Sequence, residues 1–243
     1  MSGSGIVSTT ASSGQQQLVR LAARALARAN LVHAYGHCSM RLDDRHFLVC
    51  APQPMGLIRD TDDGTVVSID GELPEGVLGE VRIHQEIYRR RPQIGGVVRS
   101  MPRDVMTLSA AGVTPVPRHG MGTYFSPEVP LWNDVQLIRN KELAQGVVEK
   151  MADAPAVVMR GNGAVVAAES LEKAVVLTWY LEDAARIELQ LRCAGLATDE
   201  GIVAPVAAKQ RATDAGRIFE RMWEYLIAGD SNPSGVFNFE SIK

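Results

Sequence analysis

The sequence predicts a layered α/β (α+β) domain, and three observations carry that reading. Short apolar runs with strand character alternate irregularly with longer runs at helical spacing. Two pairs of strand-like runs are joined by short polar turns, "DDR" at 43–45 and "RGNG" at 160–163, so hairpins interrupt any simple βαβ series. The 243 residues are 46% hydrophobic and 22% charged, a composition that supports a substantial core.

The elements follow in order. Residues 1–14 are rich in Ser, Gly and Thr and read as a flexible leader without the charged and apolar regions of a signal peptide. Leu18, Leu21, Ala22, Ala25, Leu26 and Ala29 share a helical face over residues 15–30, with Asn30 at its end. "HCSMRL" (37–42) and "HFLVCA" (46–51) form a hairpin, and "TVVSID" (65–70) is a third strand before an Asp-Gly turn. Residues 79–91 form a helix with Val81, His84, Ile87 and Tyr88 on one face, stopped by Pro92. "IGGVVRS" (94–100) is a buried strand, and residues 102–112 form a helix opened by proline and closed by Gly112. A helix over 141–153 precedes a strand, Gly-rich turn and second strand over 156–168. The longest helix spans 170–195, capped by Ser170 and ended by Gly195. A last helix is expected over 207–228. The domain therefore runs from 15 to 228, and residues 229–243 form a polar tail with Pro233 and Gly235. Its Val236, Phe237 and Phe239 suit either docking on a neighbouring subunit or disorder.

Several function classes have no support. The formal net charge is −3 and no basic stripe is present, which speaks against nucleic acid as a partner. No run approaches the roughly 18–20 apolar residues of a membrane span. Cys38, Cys50 and Cys193 form no CxxC, and reduced thiols in the cytoplasm are expected.

Four stretches, in order, resemble the class II aldolase/adducin family: "AYGHCSMRL" (34–42), "GEVRIHQEIYRRRPQIGGVVRSMP" (79–102), "ELAQGVVEKMADAPAVVMRGNGAVV" (142–166) and "SLEKAVVLTWYLEDAARIELQL" (170–191). The resemblance covers roughly residues 18–195. It implies a central, mostly antiparallel sheet flanked by helices, and a homotetramer with sites between neighbouring subunits. Family enzymes usually hold a divalent metal through a His-x-His at a strand end and a third histidine in a later Gly-rich turn. The matching positions here are Arg99, Met101 and Asn162. A guanidinium stays protonated and has no lone pair to give a metal. A thioether prefers soft ions, and an amide oxygen is a weak donor. No metal cofactor is therefore expected at these positions. Glu80, in "LGE", stands where the family's aldolases keep an acid/base glutamate. A glutamate in a first helical turn also complements the helix dipole, and both roles stay open.

Arg99 is a candidate anchor for an anionic or carbonyl oxygen, or else the partner of Glu80 or Asp104. Gly36 is kept but His37 replaces the asparagine that contacts phosphate in family aldolases, and "APQPMG" (51–56) replaces their Ser-Gly turn. A phosphorylated sugar is not expected. Pro52, Pro54, Met55 and Leu57 suggest a more apolar pocket, suited to an aromatic or other hydrophobic acid. The resemblance of such stretches to enzymes of aromatic acids or secondary metabolism points the same way. Gly36, His37, Met55, His84, Met101 and Asn162 are candidate substrate contacts. His119 sits on a Gly-rich loop and has a pKa suited to proton transfer, or serves as a structural histidine. Tyr124 falls where family aldolases take a tyrosine from the neighbouring subunit. Trp223 and Tyr225 on the last helix are packing residues or a substrate wall.

Together these residues favour a metal-independent lyase acting next to a carbonyl of a small hydrophobic or aromatic acid, by aldol or retro-aldol chemistry, decarboxylation or elimination. Glu80, His119 and Tyr124 would move protons while Arg99 anchors charge. Two alternatives remain: a binding protein that keeps only the fold, and a metal-dependent lyase with ligands such as Glu80, His84 and His119.

Overall fold

Ser12 accepts a hydrogen bond from the Gln15 amide, and the Gln15 side chain accepts one from the Ser12 N–H. This reciprocal cap starts α1 (Ser13–Arg28) two residues before its apolar pattern does. The computed structural model describes residues 10–231; most of the expected leader and residues 232–243 of the tail lie outside them. The hairpin forms as β1 (His37–Arg41) and β2 (His46–Val49), and β3 (Thr65–Ser68) pairs with β2. A short 3-10 turn over Gly79–Val81 leads into α2 (Arg82–Arg90). There follow β4 (Gly96–Ser100), α3 (Arg103–Ala110), β5 (Leu131–Trp132), α4 (Lys141–Met151), β6 (Ala156–Met159) and β7 (Ala164–Ala168). The chain continues through α5 (Leu171–Cys193), α6 (Pro205–Arg211) and α7 (Ile218–Ile227).

The seven strands among the described residues form one sheet in the order β3-β2-β1-β4-β7-β6-β5. Every neighbouring pair is antiparallel except β5 and β6. The sheet is thus mixed and mostly antiparallel, as expected. β5 has two residues, too few for the alternation that reveals a strand in sequence.

Side chains alternate across the sheet and sort into two cores. Cys38, Leu48, Val98, Val158 and Val166 face α1, α3, α5 and α7. Phe47, Val97, Val157 and Val165 face α2 and α4. Period two then puts His37, Ser39 and Arg99 on the α2–α4 face, in central strands where the neighbours are apolar.

The expected helix over 207–228 is in fact two helices. Gly216 and Arg217 both adopt positive φ, 75° and 56°, and this turn separates α6 from α7. Beyond α7, Asp230 binds Arg24 Nε at 2.9 Å and Arg28 Nη1 at 2.6 Å, so the chain is tied to α1 past the expected domain end at 228.

Candidate active site

The end of β4 is the organising feature. Arg99 pairs with His37 across β1 and with Val165 across β7, so His37 and Arg99 stand side by side on one face. Gly163, at φ 78°, lets the β6–β7 turn lie on the Ser100 carbonyl, where any Cβ would come within 2.0 Å. That approach seats Asn162 against Arg99: Arg99 Nη2 donates to Asn162 Oδ1 at 2.8 Å. Gly36, at φ 145°, allows a similar close pass over the Arg99 carbonyl and the Met55 sulfur.

These elements enclose a cavity of about 550 Å³. Gly36, His37, Glu80, Arg99, Met101 and Asn162 all line it, six residues drawn from four separate parts of the chain. Tyr35, Leu78 and Leu137 are exposed large side chains, and all three line the same cavity. With Pro52 and Pro54 they give it an apolar mouth.

The polar floor is incompletely paired. Arg99 is 2% exposed, and its Nη2 lies 3.2 Å from Glu80 Oε2. Its Nε and Nη1, the Nδ2 of Asn162 and the Nε2 of His37 are buried without a hydrogen-bond partner among the described residues. Burial lowers the pKa of Arg99, with Glu80 opposing the shift. A guanidinium nonetheless remains charged. The other Glu80 oxygen accepts from the Ile138 amide at 3.4 Å. Glu80 is therefore partner of Arg99 and pocket residue at once.

Behind His37 lies His84 of α2. His37 Nδ1 and His84 Nε2 are 2.8 Å apart, and His84 Nδ1 is 2.6 Å from Ser39 Oγ. His84 is thus a support to His37 and does not line the cavity. Met55 is wholly buried beneath Gly36 and does not line it either. Within the chain, three further candidates lie elsewhere. His119 sits by α5, its Nε2 3.8 Å from Asp183. Tyr124 donates to the Thr213 carbonyl at 2.7 Å and stacks on Tyr180. Trp223 is buried in the α1–α5–α7 core, so it packs and forms no substrate wall.

Sequence reasoning missed Arg139, Ser39 and Tyr88. Arg139 is exposed at the cavity rim and has no ion pair among the described residues. Nothing in "LIRNK" distinguishes it from a solvated loop arginine. In sequence Ser39 and Tyr88 show only as a strand position and a helix position, and their contact appears in the fold.

These donors do not suit a divalent metal of the usual hard or borderline kind. A buried cation sits at the centre, flanked by an amide and a thioether. The alternative set of Glu80, His84 and His119 does not converge, because both His84 nitrogens are engaged and His119 lies beside α5. Among the described residues, no cluster of three His, Cys, Asp or Glu could hold an ion.

The profile of the Class II Aldolase and Adducin N-terminal domain matches residues 16–189. The chain belongs to the class II aldolase and adducin family. A 3,4-dihydroxyphthalate decarboxylase of Arthrobacter keyseri is 34% identical over 199 residues, covering 75% of this chain and 80% of that one. The enzyme of the same name from a Terrabacter species is 32% identical over 199 residues, covering 74% and 82%. Among solved structures, L-fuculose-1-phosphate aldolase of Thermus thermophilus superposes with a TM-score of 0.68 at 26% identity, covering 77% of this chain and 98% of that one. Membership in this family, with decarboxylases among its relatives, makes the chain an enzyme of the lyase type. No helix among the described residues is long and apolar enough to cross a membrane.

Proposed function

We propose that the chain decarboxylates an aromatic acid, without a metal, in the pocket built on Arg99. One observation carries this reading. A buried guanidinium keeps two idle N–H groups beside an idle amide of Asn162, in a cavity with an apolar mouth. Such a seat takes a carboxylate by charge-assisted hydrogen bonds, while the apolar walls take a ring. The decarboxylase relatives support the same reaction class. Pro52 and Pro54, which have no N–H to offer a phosphate, weigh against a sugar phosphate.

The chemistry follows from the arrangement. A bound carboxylate shares the charge of Arg99 with Glu80, the acid nearest that guanidinium. In the reacting complex Glu80 carries a proton and delivers it to the ring carbon bearing the carboxylate. The carbon–carbon bond then breaks, its electron pair restores the aromatic ring, and carbon dioxide departs. The product keeps the proton, and water reprotonates Glu80. Arg99 holds the carboxylate in line for this step, and Arg139 at the rim can hold a second acidic group. A homotetramer belongs to this reading, with the neighbouring subunit bringing Tyr124 or His119 to the open side.

The test measures carbon dioxide released from hydroxylated benzoates and phthalates by protein dialysed against chelator. Release should persist after dialysis, and Arg99→Met should slow it by about 10²–10³-fold, as for loss of one fixed charge-stabilising donor. A rate restored only by added metal, or unchanged in Arg99→Met, refutes the proposal.

A further inference from the structure

We infer that His37 is the acceptor for a substrate hydroxyl, and that the pocket selects aromatic acids whose hydroxyl sits next to the carboxylate held by Arg99. The inference rests on the aromatic-acid reading above and sharpens it.

The argument is a count of hydrogens along a buried chain. Tyr88 has one hydroxyl hydrogen, and it goes to the Ser39 carbonyl at 3.0 Å, since a carbonyl can only accept. Ser39 Oγ lies 2.9 Å from the same Tyr88 oxygen, so the serine must be the donor in that contact. With its hydrogen used, Ser39 Oγ accepts from His84 Nδ1 at 2.6 Å. Burial, with the nearby charge of Arg99, holds the His84 pKa down to about 3, and His84 is neutral with a single N–H. That N–H is on Nδ1, so His84 Nε2 is bare and accepts from His37 Nδ1 at 2.8 Å. Burial, His84 and Arg99 likewise keep His37 neutral. Its one hydrogen is spent on His84, and its Nε2 is left as a lone pair.

That lone pair is buried and has no partner among the described residues. His37 reaches two spaces, the large cavity and a void of about 10 Å³. The void is at the lower limit for one water, and its walls are mostly Val49, Val77, Leu78, Val81 and Pro52. The large cavity is where a donor can arrive. His37, Arg99 and Asn162 all line it, and their unpartnered groups form a pattern: donors on Arg99 and Asn162, and an acceptor on His37. The β1–β4 register sets His37 directly opposite Arg99, so donors and acceptor are neighbours. The complementary ligand carries a carboxylate and an O–H on adjacent carbons. A hydroxyl that gives its hydrogen bond to His37 also pushes electron density into the ring at the carbon Glu80 protonates.

Two measurements test this. The chain has five histidines, few enough to resolve by ¹⁵N NMR of selectively labelled protein. His37 and His84 should both show protonated Nδ1 and bare Nε2. A protonated His37 Nε2 overturns the inference, and this reading needs no variant to fold. Calorimetry then compares 2-hydroxybenzoate with 2-methoxybenzoate and benzoate. The hydroxy acid should bind about tenfold tighter, the worth of one buried hydrogen bond. His37→Phe should erase that advantage. Equal affinities, with binding still dependent on Arg99, overturn the hydroxyl assignment alone. Failure of the wild-type protein to bind any aromatic acid overturns it together with the function proposed above.

Discussion

Arg99 and Arg118 are both buried arginines that meet a carboxylate, yet one is finished and the other is not. Arg118, with a side chain 5% exposed, donates to Glu188 at 2.7 Å and to the Thr198 carbonyl, while Arg192 takes the second oxygen of Glu188 at 2.7 Å. Burial pushes the Glu188 pKa up, but the hydrogen bonds from Arg118 and Arg192 outweigh it and hold the carboxyl below its usual range. Among the described residues, neither arginine in that cluster has a buried nitrogen without a partner. Arg99 is as deeply placed, and two of its nitrogens are idle. Burying a cation with unmet donors is unfavourable, and such a group persists where a ligand completes it. The comparison separates an ion cluster that holds α5 to its surroundings from one whose donors are not all used.

The largest effect should come from breaking the complete cluster. Glu188→Leu leaves two cations without their anion and should lower stability by about 3–5 kcal/mol, read as a large fall in Tm. Arg99→Met removes an under-paired charge and leaves Glu80 able to hydrate, so its Tm should stay near or above that of the parent chain. If both variants melt alike, the distinction between the regions fails. A smaller effect is expected at the rim. Arg139→Gln should raise KM about tenfold for a dicarboxylic aromatic acid and leave monocarboxylic acids nearly unchanged, with kcat little altered. Equal losses for both acids would show that Arg139 does not read the second group.

The smallest effect sharpens the comparison within α5 itself. Glu182, six residues before Glu188, accepts from the backbone amides of Asp104 and Val105 at 2.8 and 3.0 Å. No cation is among these partners, and burial raises its pKa to about 7. The folded chain therefore binds this proton more tightly than the unfolded chain does. Stability should be full below about pH 4.5, fall as pH rises to about 7, and then level off. Solvent screening leaves a change on the order of 1 kcal/mol. Glu182→Gln should flatten that part of a Tm–pH profile, and an unchanged slope would place the titration elsewhere.

Much of this was legible before any coordinates. Hydrophobic spacing gave α1, α2, α4 and α5 nearly in place, and the polar turns gave both hairpins. Arg99 read as an odd residue at a strand end, and its donor chemistry argued against a metal before its surroundings were known. The gathering of Gly36, His37, Glu80, Met101 and Asn162 around it followed the resemblance. The misreadings share a cause. Trp223 and Met55 were legible as large side chains, but whether such a group faces a cavity or a core depends on what packs over it. The last helix was read through Gly216 and Arg217 because nothing local announces a left-handed arginine.

The sequence by itself determined the alternation of elements, the two-faced strands and the chemical character of the residue at the end of β4. These are local properties, set by side-chain period, turn residues and the lack of a lone pair on a guanidinium. The tertiary structure alone decided that β1 lies beside β4, which puts His37 against Arg99, and that α2 covers that face, which puts His84 and Tyr88 behind it. Strand order and helix placement minimise exposed apolar surface over the whole chain at once, so no window of sequence contains them. The hydrogen-bond chain that leaves His37 with a lone pair exists only after that packing is complete.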